Sequence, residues 1–166
     1  LAFDGKSVGK LDGKVVFCNG GLPGERVKVE IYRSKPRYSQ AKVLEILRKG
    51  DDRIPAICEH DHECGGCTWQ DLNYEKQLYY KKNQVEQTLR RLGKLDAVVV
   101  HDVLRADALF EYRNKMEFSF HTAEDSFTLG LHRRGRWDEI FDLNRCHLCS
   151  PAYSDIVRWM REFIKI

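Results

Sequence analysis

Cys58, Cys64, Cys67, Cys146 and Cys149 are the residues of this sequence whose type and spacing carry the most chemistry. Cys64 and Cys67 bracket Gly65-Gly66, Cys58 lies just upstream, and Cys146 and Cys149 form a second close pair far along the chain. Convergent thiolates are soft donors that suit iron–sulfur clusters or zinc. Closely spaced cysteines in one flexible loop, joined by a distant one, can hold a cubane [4Fe–4S] cluster, which needs thiolates from several directions. The glycines would let such a loop wrap the cluster and turn backbone N–H groups toward sulfur. The pairs Cys64/Cys67 and Cys146/Cys149 could instead supply a four-cysteine zinc site. The gap between the pairs is far wider than the roughly 15–20 residues usual for such sites. Plain buried thiols are the third reading. Spacing alone leaves all three open. His60 and His62 lie in the same loop and could ligate zinc, but read more simply as surface histidines. Cys18, among apolar neighbours, reads as a packed thiol.

These residues need elements to position them. Residues 1–50 read as all-β. Lys14–Phe17 predicts a short strand, and Val27, Val29 and Ile31 alternate with Lys28, Glu30 and Tyr32 at the two-residue period of a half-buried strand. Ser39–Leu47 predicts another, with Ala41, Val43 and Glu45 on one face. Gly20-Gly21-Leu22-Pro23-Gly24 and Ser34-Lys35-Pro36-Arg37 are turn signals, and short strands between such turns suggest a small barrel. Residues 51–70 show little periodicity and few apolar residues, so a metal centre would have to supply what a core cannot. Asn73–Leu92 predicts a helix with Leu78, Val85, Leu89 and Leu92 on one face and a stop at Gly93. Val98–Val100, Lys115–Phe120, Thr128–His132 and Asp138–Leu143 predict strands, with a turn at Glu124-Asp125-Ser126. Ser150-Pro151 opens a helix carrying Ile156, Val157, Met160, Phe163 and Ile164. That stripe runs almost to Ile166 without a stop signal, so the native chain is expected to continue.

Hydrophobic residues make up 42% of the 166 and charged residues 32%, enough to bury a core and stay in water. No apolar run approaches the roughly 18 residues of a membrane span, and residues 1–9 lack the pattern of a secretory signal. The expectation is a cytoplasmic protein with no membrane partner. Net charge is only +3, but residues 1–50 hold 11 Lys/Arg against 5 Asp/Glu, while residues 51–70 hold 1 against 5. A basic front on a near-neutral chain fits a polyanion-binding face.

Together these pieces resemble the N-terminal portion of the iron–sulfur RNA uracil-5-methyltransferases. Gly5–Gly9, Asp12-Gly13-Lys14-Val15-Val16-Phe17 and Leu22-Pro23-Gly24-Glu25-Arg26-Val27 look like that family's TRAM domain, a small oligonucleotide-binding-type β-barrel. Cys58, Cys64-Gly65-Gly66-Cys67 and Gln70 look like its cluster loop. Tyr112–Phe120 with Leu129-Gly130-Leu131 look like its central β-domain, and Asp142, Cys146, Leu148 and Ser150-Pro151 like the segment bearing the last cluster ligand. The resemblance covers nearly the whole chain.

The resemblance implies an α+β, β-rich fold. Residues 1–50 would be the TRAM RNA-binding barrel. Residues 51–150 would hold the iron–sulfur loop, a helix and a central antiparallel β-domain. Residues 151–166 would begin a helix leading to a methyl-transfer domain that this chain lacks. It implies a [4Fe–4S] cluster on Cys58, Cys64, Cys67 and Cys146, leaving Cys149 extra. In the family's methyl-transfer domain a cysteine thiolate adds to the uracil ring and carbon 5 takes a methyl group from S-adenosylmethionine. That cofactor belongs to the missing domain, so no catalytic residue is assigned here and the fragment alone is expected to be inactive. The expected partner is RNA, ribosomal in the first instance, bound by a monomer. Arg33, Lys35, Arg37 and Tyr38 at one turn are the leading RNA contacts, with Lys10 and Lys14 beside them. Arg113 and Lys115 with Arg133, Arg134 and Arg136 would form a second patch. Two rivals remain: a stand-alone RNA-binding module with a structural zinc or iron–sulfur centre, and an electron-transfer protein. The latter needs no basic barrel and groups its cysteines more closely.

Overall fold

The alternating residues of the first 50 positions do form strands. In the computed structural model, which describes residues 1–123 and 126–164, contacts divide the chain into two units. One comprises Leu1–Pro55 with Asp71–Arg105, the other Ala56–Gln70 with Ala106–Ile166. The boundary differs from a cut at residue 51. The cysteine loop falls in one unit and the helix that follows it in the other.

The first unit is a four-stranded sheet of β1 (Ser7–Leu11), β2 (Lys14–Asn19), β3 (Arg26–Ser34) and β4 (Tyr38–Arg48), ordered β1-β2-β4-β3. β2 and β4 run parallel and the other pairs antiparallel. β1 has no alternation and is exposed along most of its length. Its signal is the turn: Asp12 and Gly13 both take positive φ (49° and 79°) between paired Leu11 and Lys14, the backbone a two-residue hairpin requires. Val16, Cys18 and Ala41 are the buried centre, flanked by Val29 and Val43. The ladder ends at β1 and β3, and no β1–β3 pairing is present among the described residues, so the expected small barrel is not seen as a closed ladder.

The helix α1 (Tyr74–Arg91) starts where the sequence places it. Asn73 caps it by accepting the Glu75 N–H at 2.9 Å, and Gly93 N–H closes on the Thr88 carbonyl at 3.2 Å. None of its residues is buried, Val85 and Leu92 included, so its apolar face is not a core face. Val98–Val100 forms no strand, since no neighbouring strand supplies a ladder, and Val98 and Val99 are exposed.

One ion-pair network fastens this unit to the segment that follows β4. Arg53 donates to Glu25 through Nε (2.5 Å) and Nη2 (2.9 Å) and to Asp71 through Nη1. Glu25 also accepts the Leu22 N–H at 2.8 Å and the Gly50 N–H at 3.4 Å, and its side chain is 0% exposed. Arg53 bridges antiparallel to Leu72, which is fully buried.

The second unit carries a meander of β5 (Ser119–Ala123), β6 (Ser126–Arg133) and β7 (Arg136–Asp142), all antiparallel, then α2 (Pro151–Ile164). The expected turn at Glu124-Asp125-Ser126 falls on residues 124 and 125, which lie outside the described residues. The strand expected over Lys115–Phe120 begins only at Ser119, where pairing to Gly130 starts. Before it, Arg113 N–H bonds the Leu148 carbonyl, and Met116 and Phe118 turn onto a core of Phe141, Leu143, Cys146, Leu148 and Cys149. Gly130 is demanded by closeness: a Cβ there would lie 2.0 Å from the Phe141 carbonyl oxygen. α2 buries Ser154 and Val157, and its Arg161 donates to the carbonyls of Leu129 (2.6 Å) and Leu143 (3.0 Å). Ile156 and Phe163, expected in the apolar stripe, face outward. No described helix is long and apolar enough to cross a membrane.

Removing Arg53 strands a buried carboxylate. Arg53→Ala is expected to lower stability by about 3–5 kcal/mol, the usual penalty for breaking one side of a buried pair, measured by urea denaturation. Burial alone would raise the Glu25 pKa, but the Arg53 bonds and the Leu22 and Gly50 N–H groups outweigh it and hold the carboxyl below its ordinary value. A depressed carboxylate contributes stability above its unfolded pKa and loses it as pH falls through the folded one. The wild-type advantage over Glu25→Gln should therefore be present at neutral pH and vanish in acid.

Candidate metal centre and nucleic-acid interface

The cysteine loop has almost no side chains to bury, so its shape must come from hydrogen bonds. Short turns are closed by Asp61 N–H to the Cys58 carbonyl (3.2 Å), Glu63 N–H to His60 (3.0 Å) and Cys64 N–H to His60 (2.7 Å). Gly66 N–H points at Cys64 Sγ at 3.3 Å, as the glycine pair leads one to expect. Gln70 joins the two ends of the cysteine run. Its Oε1 accepts the Cys58 N–H at 3.0 Å, and its Nε2 donates to Cys67 Sγ at 3.3 Å.

The loop is also bound to the rest of its unit. Cys64 bridges antiparallel to Arg133, and Gly65 N–H reaches the His132 carbonyl at 3.4 Å. Arg134 N–H bonds the Glu63 carbonyl at 2.8 Å, and its guanidinium donates to the carbonyls of Asp61 (2.8 Å), Cys64 (3.2 Å) and Cys67 (2.6 Å). His60 is buried, contrary to its reading as a surface residue. Its ring lies 5.0 Å from that of Phe141, and its Nε2 accepts the Asn144 N–H at 3.1 Å. With that nitrogen occupied, His60 ties the loop to the segment before Cys146. His62 is on the surface, its side chain 89% exposed.

The result is a cavity with about 390 Å³ of empty space, part of it open to solvent, lined by Cys58, Cys64, Cys67 and Cys146. Met116, Leu131, Leu143 and Leu148 supply apolar wall between them. Burial pushes the thiols of Cys58, Cys64 and Cys67 above their ordinary range, and the charges of the other cavity cysteines push the same way. Cys149 is not one of the lining residues. It sits buried in the core, and burial, then its contact with Cys146, raises its pKa to about 11. No cysteine is in a disulfide. Among the described residues no three His, Cys, Asp or Glu side chains stand close enough to hold a single metal ion.

The basic residues divide by their partners. On the first unit Lys10, Arg33, Lys35 and Arg37 are exposed and form no ion pair among the described residues, and Lys14 Nζ bonds Ser34 Oγ at 2.7 Å. Tyr38 is less available than its neighbours, because its ring packs edge-on against Phe17 at 5.8 Å. Tyr32 is the exposed aromatic of this surface. It is the extra residue of a β-bulge, since Ile31 pairs with Ala41 and Arg33 with Gln40. Sequence alternation hid it by placing it in a regular strand. On the second unit Lys115 pairs with Glu117 at 3.1 Å, Arg133 with Glu63 and Glu139, and Arg136 with Glu139 and Asp138. Arg113 is half-buried beside Met116. Trp137 lies in the same groove, 84% exposed, and no periodic pattern had singled it out.

A TRAM domain model matches residues 1–44. An uncharacterized RNA methyltransferase of Nitratidesulfovibrio vulgaris is 35% identical over 99% of this chain, which covers 35% of that protein. One from Thermotoga maritima is 36% identical over 93% of this chain and 34% of its own length, and one from Halalkalibacterium halodurans 32% over 99% and 36%. The chain thus spans about a third of the length of the curated relatives it matches. Among solved structures, the tRNA (uracil-54, C5)-methyltransferase of Pyrococcus abyssi, in complex with S-adenosyl-L-homocysteine, shares the fold. Its TM-score is 0.63 at 24% identity, over 99% of this chain and 37% of that one. Residues 1–44 thus match a TRAM domain model, and the chain is similar to about a third of the length of proteins named as RNA methyltransferases.

His60 separates a loop anchor from a surface histidine. His60→Ala leaves the Asn144 N–H without its acceptor and should cost about 1–3 kcal/mol, the range for a buried unsatisfied donor, with faster hydrogen exchange at the Asn144 amide. His62→Ala should change neither stability nor that exchange rate.

Proposed function

We propose that this chain, homologous to RNA methyltransferases, is the RNA-holding and iron–sulfur part of an S-adenosylmethionine-dependent RNA uracil-5-methyltransferase. The observation that carries the cluster reading is the shared cavity. Three loop cysteines and Cys146 line it, among apolar Met116, Leu131, Leu143 and Leu148 and polar His60, Gln70, Arg113 and Arg145, and Cys149 stays in the core. Four thiols around one space are the donor set a multi-iron cluster needs, and the family resemblance favours the cluster over a tetrahedral zinc. The cluster would be held by Cys58, Cys64, Cys67 and Cys146. Once bound it would supply a rigid cross-link between the loop and the Cys146 segment.

The chain's own part in the reaction is to bind and orient RNA. A TRAM domain implies RNA binding, and its exposed Arg33, Lys35 and Arg37 surround a turn where phosphates can be met without displacing ion pairs. Tyr32 beside them offers a ring for an unpaired base. Methyl transfer to uracil carbon 5 is suggested by the fold neighbour, which acts on transfer RNA. For this protein we favour ribosomal RNA, a cytoplasmic location and a monomer. No described strand passes through a glycine-rich turn into a helix, the unit that cradles such a cofactor, so no residue here is assigned to S-adenosylmethionine. The rival, a zinc-bearing RNA-binding module, meets its test in the metal analysis.

Anaerobically purified protein should be brown and contain about four irons and matching sulfide, the content of a cubane cluster. Cys146→Ser should lose both and Cys149→Ser should keep them. One zinc without sulfide would overturn the cluster reading. For RNA, reversing Arg33, Lys35 and Arg37 to Glu should weaken binding to a labelled hairpin regardless of its sequence and flatten the salt dependence, because phosphate contacts release counterions. Tyr32→Ala should weaken it with the salt slope unchanged. Fluorescence anisotropy, with ribosomal and transfer RNA hairpins in competition, measures each effect.

A further inference from the structure

Arg134 stood among the expected RNA contacts, but its guanidinium is turned toward the protein. Three carbonyl oxygens, of Asp61, Cys64 and Cys67, converge on it within 2.6–3.2 Å, and its own N–H holds a fourth, that of Glu63. Carbonyls aimed at one point repel each other unless a cation with several donors sits between them. Guanidinium, planar with a fork of N–H groups, satisfies three at once, whereas an ammonium is a single point of charge. The carbonyls it gathers belong to Cys64, Cys67 and two residues of the turn before them.

The neighbouring hairpin residues complete the joint. Arg133 bridges Cys64 in antiparallel fashion, and the His132 carbonyl takes the Gly65 N–H. The loop thus joins the end of β6 as a short extra strand, with Arg134 as its fastener. Arg136, on the far side of Gly135, points elsewhere: its partners Asp138 and Glu139 lie on its own strand.

We propose that Arg134 is a positioning residue for the cysteine centre: it holds the loop in its ligating shape before any cluster arrives, so that the spacing of Cys64 and Cys67 is set by the β6–β7 hairpin and not by the metal. The loop has few apolar contacts of its own, and a loop left loose must be ordered at the moment of binding, which lowers affinity. The inference rests on the cluster reading for its consequence but not for its geometry, which is a property of the metal-free chain.

The test has two arms. In metal-free protein, hydrogen exchange at the Asp61, Glu63 and Cys64 amides should be about tenfold faster in Arg134→Ala, the equivalent of losing one charge-assisted hydrogen bond. Exchange along β6 and β7 should be unchanged. After anaerobic reconstitution, Arg134→Ala should hold much less iron and sulfide than wild type and release it faster to a chelator. Arg134→Lys, which keeps the charge without the fork, should fall between, and Arg136→Ala should match wild type. Unchanged exchange in Arg134→Ala would overturn the proposal, as would equal losses in Arg136→Ala, which would mark a general weakening of the hairpin. If wild-type protein takes up no iron or sulfide, the cluster reading alone fails, and the exchange arm still decides for or against the fastener.

Discussion

Arg53 is the residue on which the path of the chain depends. It gathers the buried Glu25 of the β2–β3 turn and Asp71 of the return strand, and pairs with Leu72 as it does so. Ile54 N–H to the Asp71 carbonyl and Asn73 N–H to that of Asp52 close the same neck, each at 2.9 Å. Everything between, residues 56–70, is a loop whose ends are fixed by these bonds. Fixing the ends of a flexible segment removes its loop-closure entropy and leaves only the ordering of its own residues to be met. The loop can then be held by a few polar contacts, from Gln70, His60 and Arg134, although it contributes almost nothing to a hydrophobic core. The same neck lets α1 begin at once, because Asn73 is both the last paired residue and the helix cap.

Much of this was legible in the sequence, and the parts that were not share a cause. β3, β4, α1 and the strands β6 and β7 follow from local alternation and capping, although the turn joining β6 to β7 carried no signal. Spacing singled out the cysteines but left iron–sulfur, zinc and plain thiols open; the set Cys58, Cys64, Cys67 and Cys146 came from the family resemblance, and those four line one cavity. Features that depend on a distant partner were not legible. Nothing near Arg134 says that three carbonyls await it, and nothing near His60 says that Asn144 does. Val98–Val100 has the composition of a strand and lacks only a neighbour to pair with. Tyr32 lay in plain alternation until a bulge added one residue to its strand.

The two basic surfaces differ in kind despite similar composition. On the second unit the arginines of the β6–β7 hairpin face carboxylates or carbonyls, so their charge is largely spent on holding that unit together. On the first unit the cations of the β3–β4 turn project without such partners. A polyanion approaching the second unit meets charge already offset, while at the β3–β4 turn of the first unit it meets cations with no ion-pair partner among the described residues. Net charge, which counts both alike, is a poor guide to where binding energy is available.

The cysteines of the cavity come from two stretches that lie far apart along the chain. During synthesis the loop with Cys58, Cys64 and Cys67 leaves the ribosome well before the hairpin that fastens it, and the wall with Cys146 comes later still. The first unit carries no such delay, since its last segment ends at Arg105. A nascent chain therefore passes through a stage in which the TRAM sheet is complete while three thiols stand in an unbuilt pocket, open to oxidation or to the wrong metal. The proposed cluster could be loaded only after that stage, so the order of the sequence sets a timetable for maturation as well as a fold.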